Sequence, residues 1–317
     1  MEIKSIQNLE VKAHEIVRVK EMGNITEVMW SDSYFSKCHI KRLNKDYYID
    51  LRTGETKEFK HIENRACDLA SVSKSLGKLR DYLNTNITDV SKCRWVTLTY
   101  AENMTDPKKL YNDFKLFNRE LRKKVGHYEY IVAMEPQGRG AWHCHVVMIF
   151  DKKAPFIHND VIWSCWSKKG FKQRSIDGKG YNYTVTKKLD DVDNVGAYLT
   201  AYLGDMEISE VLETGLMNDY VGKKVQVKEI EVEENGEMKS KKYVKGARLR
   251  LYPPKFNIFR CSRGIKKPII YYGSEELAQK KVSSAKLTFE KTIQLSDKEN
   301  DFEKTISYRY YNKIRTE

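Results

Sequence analysis

Long hydrophobic runs are missing from this chain. No apolar stretch approaches the ~20 residues that a bilayer-spanning helix needs, so no helical membrane span is expected. The opening "MEIKSIQNLEVKAHEI" lacks the apolar centre of a secretory leader, and a cytoplasmic location is expected. Cysteine is sparse: six residues, at positions 38, 67, 93, 144, 165 and 261, with no CxxC pair. Neither a disulfide framework nor a zinc ribbon is therefore indicated. No GxxxxGK[ST] occurs, which leaves out the phosphate-cradling loop of an attached helicase. Internal repeats and low-complexity segments are lacking too. Histidine is scarce as well, with seven in 317 residues, yet two of the seven stand one residue apart.

Positive charge, in contrast, is abundant. The formal net charge is +13, a balance that favours a polyanionic partner, most simply nucleic acid. A basic membrane-surface protein would need a long amphipathic basic helix or a lipidation signal, and neither is found. At this length the chain can bury a sizeable core and holds one large or two modest domains.

The pattern of elements points to an α+β fold. "YYIDLRTGETKEF" (47–59) reads as two strands around a Thr-Gly turn. Residues 63–86 space Ala66, Leu69, Val72, Leu76, Leu79 and Leu83 as on a helix. "RWVTLTY" (94–100) alternates like a strand. The next helix opens with Thr105, Asp106 and Pro107 and lines up Leu110, Phe114, Phe117 and Leu121 on one face. "YEYIVAME" (128–135) is a strand, and the short "PQGRGA" leads by a hairpin into "WHCHVVMIF". "NDVIWSCW" suggests a short helix and "YNYTVTKK" (181–188) another strand. Residues 193–213 read as one helix, and 224–246 as a charged hairpin around Asn-Gly. The expected division is residues 1–90 as a hairpin and helix on the core, 91–270 as the main domain, and 271–317 as a small appendage.

His143 and His145 sit on a strand, where alternate side chains share a face. Cys144 then points the other way, into the core, as a small hydrophobe. Two imidazoles on one face either begin a metal site or merely bond to each other. A hairpin through 136–141 would return His143 to the neighbourhood of Glu135. Two histidines and a glutamate make a donor set that suits Mn²⁺ or Mg²⁺ acting on a phosphate, and could also hold Zn²⁺. Tyr198 and Tyr202, four apart on a predicted helix, share a face. They are either two candidate nucleophiles or part of a packing face. A tyrosine at its ordinary pKa of ~10 attacks poorly without a polarised phosphate.

Taken together, the strand "VTLTY" (96–100), Glu135 with His143-Cys144-His145, and "VGAYLTAY" (195–202) resemble the HUH endonucleases, in particular rolling-circle replication initiators with paired catalytic tyrosines. The resemblance covers roughly residues 90–210. It implies a five-stranded antiparallel sheet of the RNA-recognition type flanked by helices, with Glu135, His143 and His145 as metal ligands for Mg²⁺ or Mn²⁺. It also implies Tyr198 as the principal nucleophile and Tyr202 as the second. The activity implied is site-specific nicking and joining of single-stranded or extruded origin DNA through a 5′-phosphotyrosine, leaving a 3′-OH for a host polymerase behind a host helicase. Members commonly carry a lysine three residues after each tyrosine, whereas this chain has Ala201 and Asp205. Lys187, Lys188 or Arg139 are the expected substitutes.

For DNA contact, Trp163, Trp166 and Phe171 interleave with Lys168, Lys169, Lys172 and Arg174, a composition suited to base stacking and phosphate contact. A non-catalytic DNA-binding protein on the same fold is the alternative from another class, and a paired-tyrosine transposase or a relaxase the alternatives among enzymes.

Overall fold

The computed structural model describes residues 2–6, 9–34, 39–59, 69–100, 103–138, 140–166, 175–176, 179–180, 184–187, 196, 200, 203–215, 225–234, 237–253, 255–297 and 302–315. It is an α+β chain with antiparallel sheets, divided into two compact units. One comprises residues 63–267, the other residues 1–62 together with 268–317. Among the described residues no helix is long and apolar enough to cross a membrane.

The first unit is built on a five-stranded antiparallel sheet in the order Thr184–Lys187, Cys93–Thr99, Trp142–Ile149, Glu129–Pro136, Phe259–Cys261. The histidine strand, Trp142–Ile149, is its middle member, so both of its edges are hydrogen-bonded and it has no freedom to slip. Alternation along it is plain: Cys144 is fully buried while His143 and His145 are partly accessible. On the Cys144 side lies the helix Pro107–Val125, which starts as its sequence dictates. Asp106 caps it by accepting from the Lys108 N–H, and Pro107 occupies the first turn. Leu110, Phe114, Phe117 and Leu121 are its buried face, and Gly126 at φ 86° ends it. On the His145 side, Leu79 and Leu83 of the helix Leu69–Asn86 lie beside Trp95, Ala133 and Val147. Helices thus cover both faces of the sheet, and the histidines stand toward one end of it.

Two expectations need correction within this unit. Residues 193–213 are not one helix. Leu203 and Gly204 are helical, but Met206–Glu207 form a strand against Tyr243–Val244, and a separate helix, Ile208–Glu213, follows. Apolar periodicity runs through the break because both pieces bury the same side, with Leu203, Met206 and Val211 all buried. Trp166, expected to stack on bases, is a core residue. Its Nε1 donates to the Thr99 carbonyl at 2.9 Å and its ring packs on Tyr100 and Phe117. An indole that is buried and bonded inside a core offers no face to a ligand.

The second unit holds the largest sheet, which has six strands and not five, in the order Glu2–Ile6, Lys286–Asp297, Phe302–Asn312, Ile25–Ser31, Ile16–Met22, Ile269–Ser274. A helix, Glu275–Val282, is capped by Ser274 and contributes Ala278 and Val282 to a core with Val17, Val19, Val28 and Tyr311. The helix and final hairpin expected after residue 274 are both present. They do not stand apart as an appendage, because Phe302–Asn312 pairs with Ile25–Ser31 and Ile269–Ser274 with Ile16–Met22. Conversely, the helix Leu69–Asn86 belongs with residues 63–267 and not with the N-terminal strands. Pairing between strands some 250 residues apart leaves no local mark on either.

Candidate metal centre

The hairpin between the two central strands is closed by Gln137 N–H to Ala141 O and Gly140 N–H to Gln137 O, with Gly140 at φ 82°. That turn sets the register: Glu135 stands directly opposite His143, and Ala133 opposite His145. On the other side Thr97 stands opposite His145. Glu135, His143 and His145 therefore project from the same face at the same end of the sheet. Their donor atoms all lie within 4.8 Å of one another. His143 Nε2 is 3.0 Å and His145 Nε2 2.6 Å from the same carboxylate oxygen, Oε2 of Glu135.

The electrostatics suit a cation. Burial opposes the charge on Glu135, but the Arg248 guanidinium, 2.8 Å from Oε1, and His143 overcome it and hold the carboxyl well below its usual range. Burial also lowers the His145 pKa, more than Glu135 raises it, so this imidazole is neutral near pH 7. A charged carboxylate beside a neutral imidazole is what a divalent ion requires of its ligands. Thr97 Oγ1 lies 3.2 Å from His145 Nδ1. As a hydroxyl it can accept from Nδ1–H, which is the tautomer that leaves Nε2 free to ligate. The Nδ1 of His143 is buried with no protein hydrogen-bond partner. Its Nε2 is thus the nitrogen directed at the shared point. The three residues fit a divalent cation in both donor type and convergence, and they could hold one.

The other residues singled out in the sequence are distributed as follows. Tyr198 and Tyr202 lie outside the described residues, as do Arg139, Lys168, Lys169, Phe171, Lys172, Arg174 and Lys188. Lys187 ends the edge strand, opposite Trp95. The described neighbours of the tyrosines are well anchored. Gly196 N–H donates to Asn84 Oδ1 at 3.1 Å, in a buried contact, and Leu203 sits beside His145, Trp95 and Ala133. Asp205, where a lysine was looked for, is occupied structurally: Oδ1 accepts from Gly246 N–H at 3.0 Å, and Oδ2 pairs with Lys228.

Sequence reasoning missed Arg248, Glu210 and Tyr252. Arg248 was visible only as one cation in a basic, aromatic segment. Glu210 lay in what looked like a continuous helix. Nothing in their spacing indicates that they approach Glu135.

Residues 93–207, which carry this centre, match a family of replication-associated proteins, the one described by the replication-associated protein ORF2. The match supports a rolling-circle replication initiator family. It spans rather more than a third of the chain and includes all three donors and both tyrosines. A replication-associated family implies interaction with DNA. No curated protein and no solved structure gives a significant match.

Proposed function

We propose that this protein initiates rolling-circle DNA replication as a metal-dependent, site-specific single-strand endonuclease and strand transferase of the HUH type. The five-stranded sheet centred on the histidine strand serves as its catalytic platform, with residues 91–270 as the working domain. The observation that carries this reading is the convergence of Glu135, His143 and His145 within 4.8 Å at one end of that sheet, inside the segment matching the replication-associated family.

A divalent ion, Mg²⁺ or Mn²⁺, held by these three residues would neutralise charge on a scissile phosphate. Tyr198 is the first nucleophile. Its phenol oxygen forms a bond to phosphorus and the bond to the 3′ oxygen breaks. The phenol proton passes to solvent, and the leaving oxygen takes one up as a 3′-OH that a host polymerase can extend. The phosphodiester energy is retained in the 5′-phosphotyrosine, so rejoining needs no nucleotide cofactor. Tyr202 makes the second transfer, which closes the circle. Arg139, Lys168, Lys169, Lys172, Arg174, Lys187 and Lys188 supply phosphate contacts, and a host helicase opens the duplex. The anchoring of Gly196 and Leu203 on either side of the two tyrosines supports this assignment, because a nucleophile must be held to fractions of an ångström.

The test is direct. Single-stranded origin DNA incubated with the protein and Mn²⁺ is expected to yield a covalent adduct on Tyr198. Tyr198→Phe should lower first-strand cleavage by several orders of magnitude, while Tyr202→Phe should nick normally and fail in the second transfer. Bound DNA with no adduct on either tyrosine would replace this reading with that of a non-catalytic DNA-binding protein.

A further inference from the structure

Glu135 does not stand alone behind the histidines. Its second oxygen, Oε1, faces the Arg248 guanidinium at 2.8 Å, and the same guanidinium makes a two-toothed contact with Glu210, NH1 to Oε1 at 3.2 Å and NH2 to Oε2 at 2.8 Å. Arg248 also donates to the backbone carbonyls of Pro136 at 3.0 Å and Asp205 at 3.0 Å. Its side chain is only 9% exposed, and the Glu135 side chain 5%. Four residues on, the buried Tyr252 hydroxyl lies 2.9 Å from the Met134 carbonyl oxygen and 3.4 Å from that of Leu203. The 3₁₀ turn Ala247–Leu251 thus lies between two pieces of backbone. One flanks the carboxylate at 134 and 136, the other follows the tyrosines at 203 and 205.

We propose that Arg248 and Glu210 are positioning residues for this centre, an inference that rests on the metal reading given above. Arg248 takes up one oxygen of Glu135 and so presents only the other to a cation, a one-oxygen ligand aimed between the two Nε2 atoms. A lone arginine would cancel the charge it orients. Glu210 removes that cost, since two carboxylates facing one guanidinium leave a net negative charge for the ion. Glu210 also accepts from the Gly138 N–H in the turn between the two ligand strands, where a side chain at 138 would collide with the Glu210 Cγ. The same pair therefore fixes the ligand, the turn beside it and the chain leaving the tyrosines. Both residues lie beyond the segment that matches the replication-associated family, which ends at 207.

The experiment is Mn²⁺ titration of the full-length protein, read as loss of the free-ion electron paramagnetic resonance signal, alongside thermal melting of the metal-free form. Orienting groups of this kind are typically worth about 10–100-fold in metal affinity. Glu210→Gln, which keeps the shape and removes the charge, is expected to weaken Mn²⁺ binding about tenfold with little change in melting. Arg248→Met is expected to weaken it at least as much, and Arg248→Lys, which keeps one contact to Glu135, to recover part of the loss. Should Arg248→Met fail to fold, Glu210→Gln and Arg248→Lys decide the matter. If both bind Mn²⁺ as tightly as wild type, the inference is overturned and the pair serves folding only. Wild-type protein that takes up no Mn²⁺, or His143→Ala/His145→Ala protein that takes up as much, would instead remove the metal reading itself.

Discussion

Gly196→Ala separates a helix-propensity effect from a packing effect, and the two have opposite signs. Gly196 is helical, so alanine in its place should gain about 1 kcal/mol if the site were open. The site is closed. A Cβ on residue 196 would stand 2.7 Å from the Arg80 carbonyl oxygen, 2.7 Å from Asn84 Oδ1 and 2.8 Å from Arg80 Cγ, where ordinary contact begins near 3.4 Å. The obstacle at the first distance is helix backbone and cannot rotate away. The crossing with Leu69–Asn86 must therefore open by roughly the difference, several tenths of an ångström. Overpacking of this kind costs about 1–3 kcal/mol, and the 3.1 Å bond from Gly196 N–H to Asn84, worth about 1 kcal/mol, is stretched with it. Packing wins over propensity, and the expected net loss is about 1–3 kcal/mol. Tyr198 is two residues away. Displacement of a nucleophile by about 1 Å can cost 10²-fold in rate, so adduct formation should slow by one to two orders of magnitude. Urea unfolding and single-turnover adduct formation measure the two effects separately. An alanine variant more stable than wild type, with an unaltered cleavage rate, would refute the close crossing.

Replacing His143 and His145 together with alanine, or adding a chelator to wild type, should abolish cleavage while leaving salt-sensitive binding to single strands largely intact, since that binding comes from the basic surface; a filter-binding assay beside a cleavage gel tests this, and undiminished cleavage would defeat the metal assignment. In the unit formed by the chain ends, burial raises the pKa of Glu27, but Lys20, Tyr310 and Arg18 overcome it and hold it below 4.5. Its stabilisation is present above the unfolded-state value and is lost as pH falls through the lower folded-state value, so acid melting of wild type should steepen below about pH 4.5 and Glu27→Gln should flatten that part of the curve. Asp205→Lys, which restores the lysine common in the family, should destabilise by about 2–4 kcal/mol in denaturant titration, because it leaves Gly246 N–H unpaired and sets a cation beside Lys228 and Arg248.

Local signals were legible where the physics is local. The helix Pro107–Val125 announced its cap, its proline and its buried stripe in consecutive residues, and all appear as read. The Glu135–His143 pairing was legible because a turn of a few residues leaves two strands little choice of register. Charge spacing in 224–246 likewise gave the hairpin Val227–Glu234 with Glu237–Val244. What escaped was non-local. Phe302–Asn312 could not declare that its partner is Ile25–Ser31, since any amphipathic strand accepts any edge of matching polarity. Trp166 looked like a stacking group because it neighbours lysines in sequence, whereas its surroundings in space are Thr99, Tyr100 and Phe117. The helix break after Gly204 was hidden for a related reason: apolar spacing persists through it, and the strand partner at Tyr243–Val244 lies almost forty residues downstream.

Position 205 shows why a motif can change while its setting is kept. In the family pattern a lysine there would bring charge toward a phosphate. In this chain the carboxylate of Asp205 ties Gly246 and Lys228, and its carbonyl accepts from Arg248, the residue that also faces Glu135. The side chain at 205 has thus become part of the frame that orients a metal ligand, and a cation, Lys228, stands beside it from another strand. The substitution is coherent only together with Gly246, Arg248 and Lys228, all of which lie outside the family match. A residue lost from a catalytic motif need not mean lost activity when the fold has given its position a different structural task. Which of the two holds here is decided by the Tyr198 adduct and not by the motif.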